Sequence, residues 1–562
     1  MDLSVGIVIE NSWNEIPIDE NFKLYAGPGA GKTTFLTNHI KRVLRNSTKL
    51  GKARKVACIT YTNTGVNALL NKLEDSVDSL EICTIHSFCY NHIVKPYLWL
   101  LSDISFPIDK LAGHETVVLR HSQLRRFKSE SDQNYITDNG ELGNVLSKLR
   151  WILKDKEIIL GFLNIWDGKI GELSLKKSSY QLYKEICWED GKLSHEDVLY
   201  FAYKLLKQDE RICEIVRAKF PYLLIDEFQD TSPLQSEIVK MIAQKEVKLG
   251  IIGDLCQSIY SFQGANVDSF ENFTLPNMKL YNLKNNHRSS NEIIKVLNHM
   301  RIHKDFSQNT LSQKIGFAPV ALIGTKNNAF QYLQNLNLEK SFTTLSYRQE
   351  SVASINSSSP LQNNYENILF KDSDKDRGWR VFFSIQAIEL AKQYRIKEAI
   401  KSMKSAYRKV DNFDDRDAFM NLKRLITKYD EYKNETITTF NNDFITGYYG
   451  VGGKVSRGGV KVLYDGTSYN HIAIQQKIPN DLGEIKTIHQ SKGDEFDNVL
   501  ILIPPKKQCL DFLLNPNMDL EEHRVYYVAL SRAKSGLYIN VSNINDDYRK
   551  LLDKLGFEII EI

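Results

Sequence analysis

Two short runs hold the residue types and spacing for phosphate chemistry: Ala26–Thr33 (AGPGAGKT) and Tyr222–Asp230 (YLLIDEFQD). Glycines let backbone N–H groups turn toward phosphate oxygens, and a helix starting just after them favours negative charge. A lysine there reaches the β- and γ-phosphates of a nucleoside triphosphate, and the next hydroxyl ligates Mg²⁺. Lys32 and Thr33 take those places. The expected cradle is Ala26, Gly27, Pro28, Gly29, Ala30, Gly31, Lys32, Thr33 and Thr34, with ATP and Mg²⁺ as cofactors. In the second run an apolar stretch ends in two carboxylates. Asp226 fits a second Mg²⁺ contact, and Glu227 fits the base that orients attacking water. Paired acids also suit a solvated turn, but this pair supplies the missing half of a hydrolase for triphosphates.

A P-loop requires a strand before it and a helix after it. Phe22–Tyr25 has a strand pattern and Thr34–Arg45 a helical one. Further β-rich apolar runs, Lys55–Tyr61, Tyr222–Ile225, Val247–Ile252 and Val499–Ile503, end in polar or glycine-rich turns, with helical patterns between them. That alternation predicts an α/β fold of parallel sheets, with ligands at the carboxyl ends of the strands. Two stretches break the rhythm. Trp99 to Leu206 is mostly helical in pattern and holds no recognisable chemistry. Glu350 to Asn480 is polar, with a Ser/Asn-rich entry (Ser354–Asn364) and a glycine-rich, hairpin-like piece (Gly447–Gly459). Both are read as insertions into α/β cores.

A length of 562 residues, 42% of them hydrophobic and 25% charged, is ordinary for a globular protein of several domains. The net charge of +4 neither demands nor excludes nucleic acid, because a channel needs only local basic patches. Seven scattered cysteines with no CxxC pair read as reduced thiols. Met1–Pro17 is no signal peptide, and no apolar run is long enough to span a bilayer. A cytoplasmic protein with no membrane partner is expected. Cys83, His86, Cys89 and His92, spaced three apart, could hold zinc, but structural zinc sites usually pair knuckles far apart in sequence. A packed loop-to-helix segment is favoured.

At DEFQDTSPLQ (Asp226–Gln235) the chain resembles the UvrD/Rep branch of superfamily 1 helicases. Similar segments follow the family's order: YTNTGVNALLNKL (Tyr61–Leu73), TIHSF (Thr84–Phe88), GDLCQSIYSFQGA (Gly253–Ala265), NHRSS (Asn286–Ser290), TIHQSKGDEF (Thr487–Phe496) and EEHRVYYVALSRAK (Glu521–Lys534). The resemblance implies two tandem RecA-like P-loop domains, each with a largely helical insertion. The first core would be 1–98 with 207–281, interrupted by the insertion 99–206. The second would be 282–350 with 480–562, interrupted by the insertion 351–479. It implies a 3′–5′ single-strand DNA translocase or helicase driven by ATP, with single strands and duplex junctions as partners.

The resemblance also assigns roles. Gln257 would sense the γ-phosphate and the water, Arg288 and Arg532 would neutralise the transferring phosphoryl group, and Glu495 would contact the ribose. Thr62, Asn63, His86 and His489 would touch strand phosphates or couple them to the cleft. Tyr260 and Phe262 flank Ser261; alternating aromatics on a strand are more often core, but these directly follow the γ-phosphate-sensing segment, so stacking on bases, which is sequence-tolerant, is favoured. In the second insertion Lys397, Lys401, Lys404 and Arg408 fall on one helical face beside an apolar stripe of Ile396, Ile400, Met403 and Tyr407. A solvated face over a packed one is favoured there over a duplex-phosphate contact.

The departures from the family pattern cluster on the nucleotide base. Asn11–Asn21 contains no glutamine, Thr34 replaces an arginine, and His287 replaces a tyrosine. Gln263 replaces an arginine and Asp494 an apolar residue. A looser base pocket that takes GTP is one consequence. The second insertion is short, and only about thirty residues follow the last motif, too few for a C-terminal nuclease domain. A second reading is therefore a sensing subunit that gates a partner nuclease, comparable to helicase-like subunits of antiphage systems such as Gabija. A P-loop ATPase indifferent to DNA is a third.

Overall fold

The computed structural model describes residues 6–73, 78–102, 106–111, 113–114, 117, 119–301, 306–310, 314, 316–336, 338, 340–347, 369, 372–410, 413–475, 485–505 and 509–562. Its frame is two parallel sheets. The first has seven strands, ordered Ile7–Ile9, Lys279–Leu283, Phe22–Ala26, Lys248–Gly253, Tyr222–Ile225, Val56–Thr60, Leu80–Thr84. Parallel sheets covered on both faces are built from continuous apolar runs, and Phe22–Ala26, Val56–Thr60 and Tyr222–Ile225 are buried at every position. The order brings the carboxyl ends of Phe22–Ala26, Lys248–Gly253 and Tyr222–Ile225 side by side. The P-loop, Asp254–Gln257 and Asp226–Glu227 therefore emerge together.

The second sheet has six parallel strands, ordered Ile485–Thr487, Phe342–Ser346, Phe496–Leu502, Ala533–Val541, Val320–Ile323, Glu558–Glu561. The predicted strands are present with ends shifted by a few residues, Phe496–Leu502 starting earlier than expected. Lys279–Leu283 pairs with the P-loop strand and carries the first sheet two residues past the expected boundary. The boundaries near 350 and 480, and the segment Ser354–Asn364, lie outside the described residues.

The insertions differ in how they attach. The first shares one continuous core with the first sheet: Phe127, Leu146, Trp188 and Phe201 belong to the same buried cluster as Tyr25 and Ile225. It is less helical than its pattern predicts. Arg150–Lys154 pairs antiparallel with Glu157–Gly161, and Lys169–Ile170 with Leu173–Ser174. Trp151 anchors the first hairpin by stacking on Tyr200 at 3.8 Å. The second insertion has a core of its own around Ile385, Met403, Leu422, Tyr432 and Tyr469.

Gly447–Gly459 is not a hairpin. It holds a 3₁₀ turn at Tyr448–Gly450, and a helix begins at Gly459. Gly447, Tyr449, Gly450, Gly452 and Gly458 all have left-handed φ between 53° and 95°, which no paired strand accommodates. Asn442 holds the loop instead, donating to the Val455 carbonyl at 3.0 Å and accepting from its N–H at 2.8 Å.

Candidate nucleotide site and strand channel

The P-loop is shaped by what its glycines allow near them. Gly29 and Gly31 have φ of 70° and 86°. A Cβ on Gly29 would stand 2.5 Å from Asn286 Oδ1 and 2.6 Å from Arg288 Cβ, and one on Gly31 would stand 2.9 Å from Ser12. The loop is thus pinched between Asn11–Asn14 and Asn286–Arg288. His287 N–H donates to Gly29 O at 2.8 Å, and Gln308 Nε2 donates to Pro28 O at 2.8 Å. The helix Lys32–Asn46 starts at Gly31 with no side-chain cap and no acid in its first turn. Its first N–H groups are therefore left for an anion.

Lys32 lies 3.8 Å from Glu227, and its Nζ donates to Ala26 O at 3.5 Å. Asp226 is buried, with its N–H on Ile59 O at 2.9 Å. Glu227 has left-handed φ and ψ of 53° and 40°. That conformation is strained for a side chain with a Cβ, and such strain collects at functional positions. The two acids are driven apart electrostatically. Burial, and then the charge of Glu227, push Asp226 up; Lys32 and then Lys492 hold Glu227 low against its own burial. Buried Asp226, and Thr33 at the start of the P-loop helix, offer hard oxygen donors that suit Mg²⁺.

From these acids a chain of contacts crosses to the second sheet. Gln229, fully buried, donates to Glu227 and accepts from Asp254 N–H at 3.1 Å. Asp254 accepts from Gln257 Nε2 at 2.7 Å and from Arg301 Nη2 at 3.1 Å. Gln257 Oε1 accepts from Arg532 Nη2 at 3.3 Å. Lys492 Nζ reaches Asp230 Oδ2 at 2.5 Å and Gln257 O at 2.6 Å. Arg532 is 2% exposed; burial, and then Arg288, lower it to about 9, so it stays charged at neutral pH. Arg288 donates to Glu495 Oε2 at 2.8 Å and to Ser531 O at 3.1 Å, and Lys534 also holds Glu495 at 2.9 Å. Glu495 therefore sits where it orients Arg288.

The sequence reading missed Gln229, Asp230, Asp254 and Lys492, although all four lie inside motifs it quoted. Arg301 and Gln308 lie outside every motif, and no sequence signal marked them.

A channel of about 660 Å³ is lined by Tyr61, Thr62, His86, Arg150, Tyr260 and Phe262 among others; of the residues expected to touch a strand it takes in Thr62, His86, Tyr260 and Phe262, while His489 is not in its lining. Tyr260 and Phe262 do not alternate on a strand; they flank the start of a 3₁₀ turn, Ser261–Gln263, which Glu521 ties down by accepting from Ser261 N–H at 3.0 Å. The turn separates their roles. Tyr260 is half-buried and stacks on Tyr61 at 5.1 Å, while Phe262 is 57% exposed and meets His489 edge-on at 5.6 Å. Thr62 caps the helix Asn63–Lys72 by accepting from Gly65 N–H at 3.1 Å. The side chain of Asn63 lies outside the described residues.

Of the cysteine–histidine run, only His86 lines the channel. Cys89 is buried in the core, and His92 pairs with Glu81 at 3.2 Å. The lysine face of the helix Ile396–Ala406 fronts a groove of about 1450 Å³ shared with Arg120, Arg125 and Lys192 of the first insertion. Met403 and Tyr407 are buried beneath it, while Ile396 is exposed. No described helix is long and apolar enough to cross a membrane.

Residues 11–277 match the profile of the UvrD/REP helicase N-terminal domain, and 371–543 match that of the UvrD-like helicase C-terminal domain. The ATP-dependent DNA helicase Rep of Buchnera aphidicola subsp. Baizongia pistaciae is 26% identical over 71% of this chain and 57% of its own length. A probable DNA helicase II homolog of Mycoplasma capricolum is 28% identical over 53% and 42%. The ATP-dependent DNA helicase PcrA of Bacillus subtilis is 25% identical over 49% and 36%. The chain thus spans about half the length of the curated relatives it matches.

Proposed function

The chain belongs to the UvrD/Rep family of superfamily 1 helicases, with tandem RecA-like domains, and on that premise we propose that it hydrolyses ATP to move 3′–5′ along single-stranded DNA and open the duplex ahead. One core is 1–98 with 207–283, two residues past the expected boundary, and the other is 284–350 with 480–562; the insertions lie between their halves. The observation that carries the reading is the bridge at Gln257, whose side chain accepts from Arg532 while its carbonyl accepts from Lys492. Both cations come from the other core, and the aromatic turn at Tyr260 follows Gln257 by three residues. A change at the nucleotide is thus carried within one short segment to the strand channel.

In the proposed reaction, P-loop N–H groups and Lys32 hold the β- and γ-phosphates. Asp226 and Thr33 would hold Mg²⁺, which neutralises phosphate charge. Glu227, held ionised by Lys32 and Lys492, orients the attacking water and takes its proton. Arg288 and Arg532 neutralise the oxygens of the transferring group, a role worth several orders of magnitude in rate. Because they belong to the second core, hydrolysis follows closure of the cleft. Phe262 stacks on a base from the exposed side of the turn, a contact worth about 1–3 kcal/mol with little sequence preference.

A duplex with a 3′ single-stranded tail tests the reading against one with a 5′ tail. ATP-dependent opening of the 3′-tailed substrate alone supports it. Equal opening of both would remove the polarity, and no opening with strong DNA-stimulated hydrolysis would leave a translocase.

A further inference from the structure

Arg301 lies outside every motif, yet three segments of the nucleotide machinery converge on it. It directly follows the helix Asn291–Met300 of the second core and is buried. Its Nη1 donates to the Tyr527 hydroxyl at 2.6 Å. Its Nη2 donates to the Tyr25 hydroxyl at 3.0 Å and to Asp254 Oδ1 at 3.1 Å. Tyr25 belongs to the strand that ends in the P-loop, and Tyr527 to the helix Glu521–Leu530 that leads to Arg532. Asp254 caps the 3₁₀ turn that carries Gln257. The guanidinium also lies over the Phe306 ring, 4.7 Å from its centre. A Cβ on Gly27 would stand 3.0 Å from Arg301 Nη1 and 2.5 Å from Gln308 Nε2, so the start of the P-loop is packed against these two side chains.

Burial opposes a charge at this place. Asp254, and then Tyr527 and Tyr25, outweigh it and hold Arg301 well above the usual guanidinium range. Of the other cations around Gln257, Lys492 pairs with Asp230 and Arg532 donates to the amide oxygen. Arg301 is the cation paired with fully buried Asp254.

The chemical consequence lies one contact further on. An ionised carboxylate only accepts hydrogen bonds. Asp254 Oδ1 takes Arg301 and the Cys256 N–H at 3.2 Å, which leaves Oδ2 for Gln257 Nε2 at 2.7 Å. The amide must therefore turn its nitrogen to Asp254, and its oxygen then faces Arg532 Nη2 at 3.3 Å. The two ends of a glutamine amide are alike in shape and opposite in hydrogen-bonding sense. With Oε1 forward, Gln257 accepts from a guanidinium or from the O–H of a water. Reversed, it would meet Arg532 with a second donor.

We infer that Arg301 is a positioning residue for hydrolysis: by holding Asp254 it fixes the Gln257 amide with its oxygen toward Arg532 and the attacking water, and it ties that amide to the P-loop strand and to the helix before Arg532. The inference rests on the reading of Gln257 as the sensor of the γ-phosphate and the water. Because Arg301 acts through Asp254 and Gln257, its effect on turnover vanishes once Gln257 has no amide to orient.

ATP hydrolysis by the full chain with saturating oligo-dT tests this in a cycle of wild type, Arg301→Met, Gln257→Ala and the double variant. Arg301→Met should lower kcat at least about tenfold and move the KM for ATP by less than about twofold. In the Gln257→Ala background the same change should lower kcat by less than about twofold, since residues that act through one contact are not additive. An equal loss in both backgrounds overturns the inference, as does an unchanged kcat in Arg301→Met while Gln257→Ala is impaired. If Gln257→Ala hydrolyses like the wild type, the reading of Gln257 fails and the inference fails with it. Arg301→Met leaves Asp254 buried without its cation, which destabilises, so Arg301→Met is also combined with Asp254→Asn. This charge-free pair should melt close to the wild type while kcat stays low, because an asparagine can meet the amide with either end. It replaces Arg301→Met in the cycle if that variant does not fold. A kcat that returns together with the melting temperature would reduce Arg301 to a structural ion pair and overturn the inference.

Discussion

Lys492 shows at the scale of single residues what the sequence hides. It sits in TIHQSKGDEF, a segment quoted for His489 and Glu495, yet Lys492 reaches back to Asp230 and Gln257 of the other core. Spacing within a motif reveals which residues lie close in the chain. It does not reveal which of them cross a cleft between segments more than two hundred residues apart. Lys32, Asp226 and Glu227 were legible because strand, turn and helix alone dictate their positions. Arg301 and Gln308 were not, since their partners exist only once the two cores are packed. Lys492→Met leaves Asp230 buried without its cation, which costs about 3–5 kcal/mol of stability. Adding Asp230→Asn should recover most of that loss in a melting experiment. Stimulation of hydrolysis by DNA should stay lost in the double variant, because the contact to the Gln257 carbonyl is still missing. Recovered stimulation would reduce Lys492 to a structural ion pair.

Among the elements, those buried on both faces were the easiest to read. Tyr222–Ile225 matches its predicted ends because Pro221, which cannot donate to a ladder, stops the four apolar residues on one side and Asp226 stops them on the other. Gly447–Gly459 misled because glycine density is shared by hairpins and by loops of left-handed residues, and only the fold chooses between them. The P-loop makes the same point functionally. Gly29→Ala places a methyl group 2.5 Å from Asn286 Oδ1 at a φ of 70°. The backbone strain alone costs about 1–2 kcal/mol. Binding of a fluorescent ATP analogue should weaken by at least about tenfold, equivalent to about 1.4 kcal/mol; unchanged binding would mean that the loop relaxes away from Asn286.

The helix His195–Gln208 depends on Asp197, which is fully buried and accepts from Lys184 at 2.8 Å, Trp151 at 2.9 Å and Ser194 N–H at 2.9 Å. Burial opposes ionisation of Asp197, but Lys184 and the hydrogen bonds outweigh it and hold the carboxyl below its ordinary range. Its contribution is therefore present above the unfolded-state value of about 3.9 and is lost as pH falls through the folded one. Lys184→Met should cost about 3–5 kcal/mol at neutral pH, read as a lower denaturation midpoint. A loss under about 1 kcal/mol would show that water reaches Asp197.

Across the whole molecule, the two sheets are joined by buried polar contacts: Arg301 to Asp254, Arg524 to the Ser258 carbonyl, Arg532 to Gln257 and Lys492 to Asp230. Charged groups bridging two cores tie their relative position to whatever charge enters the cleft. The first insertion is fused to its core and the second packs around its own. The groove between them is rimmed by Arg120, Arg125, Lys192, Lys397 and Lys401. If that groove holds duplex phosphates, Lys397→Glu with Lys401→Glu should weaken binding of a tailed duplex several-fold and flatten its salt dependence. Hydrolysis stimulated by single strands should be unaffected, since neither lysine lines the strand channel, which shares only Val117 with the groove. An equal loss with single strands would merge the two surfaces into one.

The central claim is that the nucleotide cleft and the strand channel act as one machine. It is tested most directly by NTP hydrolysis of the wild type and Glu227→Gln, with and without single-stranded DNA, using ATP and GTP side by side. The account predicts strong stimulation by DNA in the wild type, and turnover reduced at least about a hundredfold in the variant, with strand binding retained. Hydrolysis by the wild type at the same rate with and without DNA would contradict it.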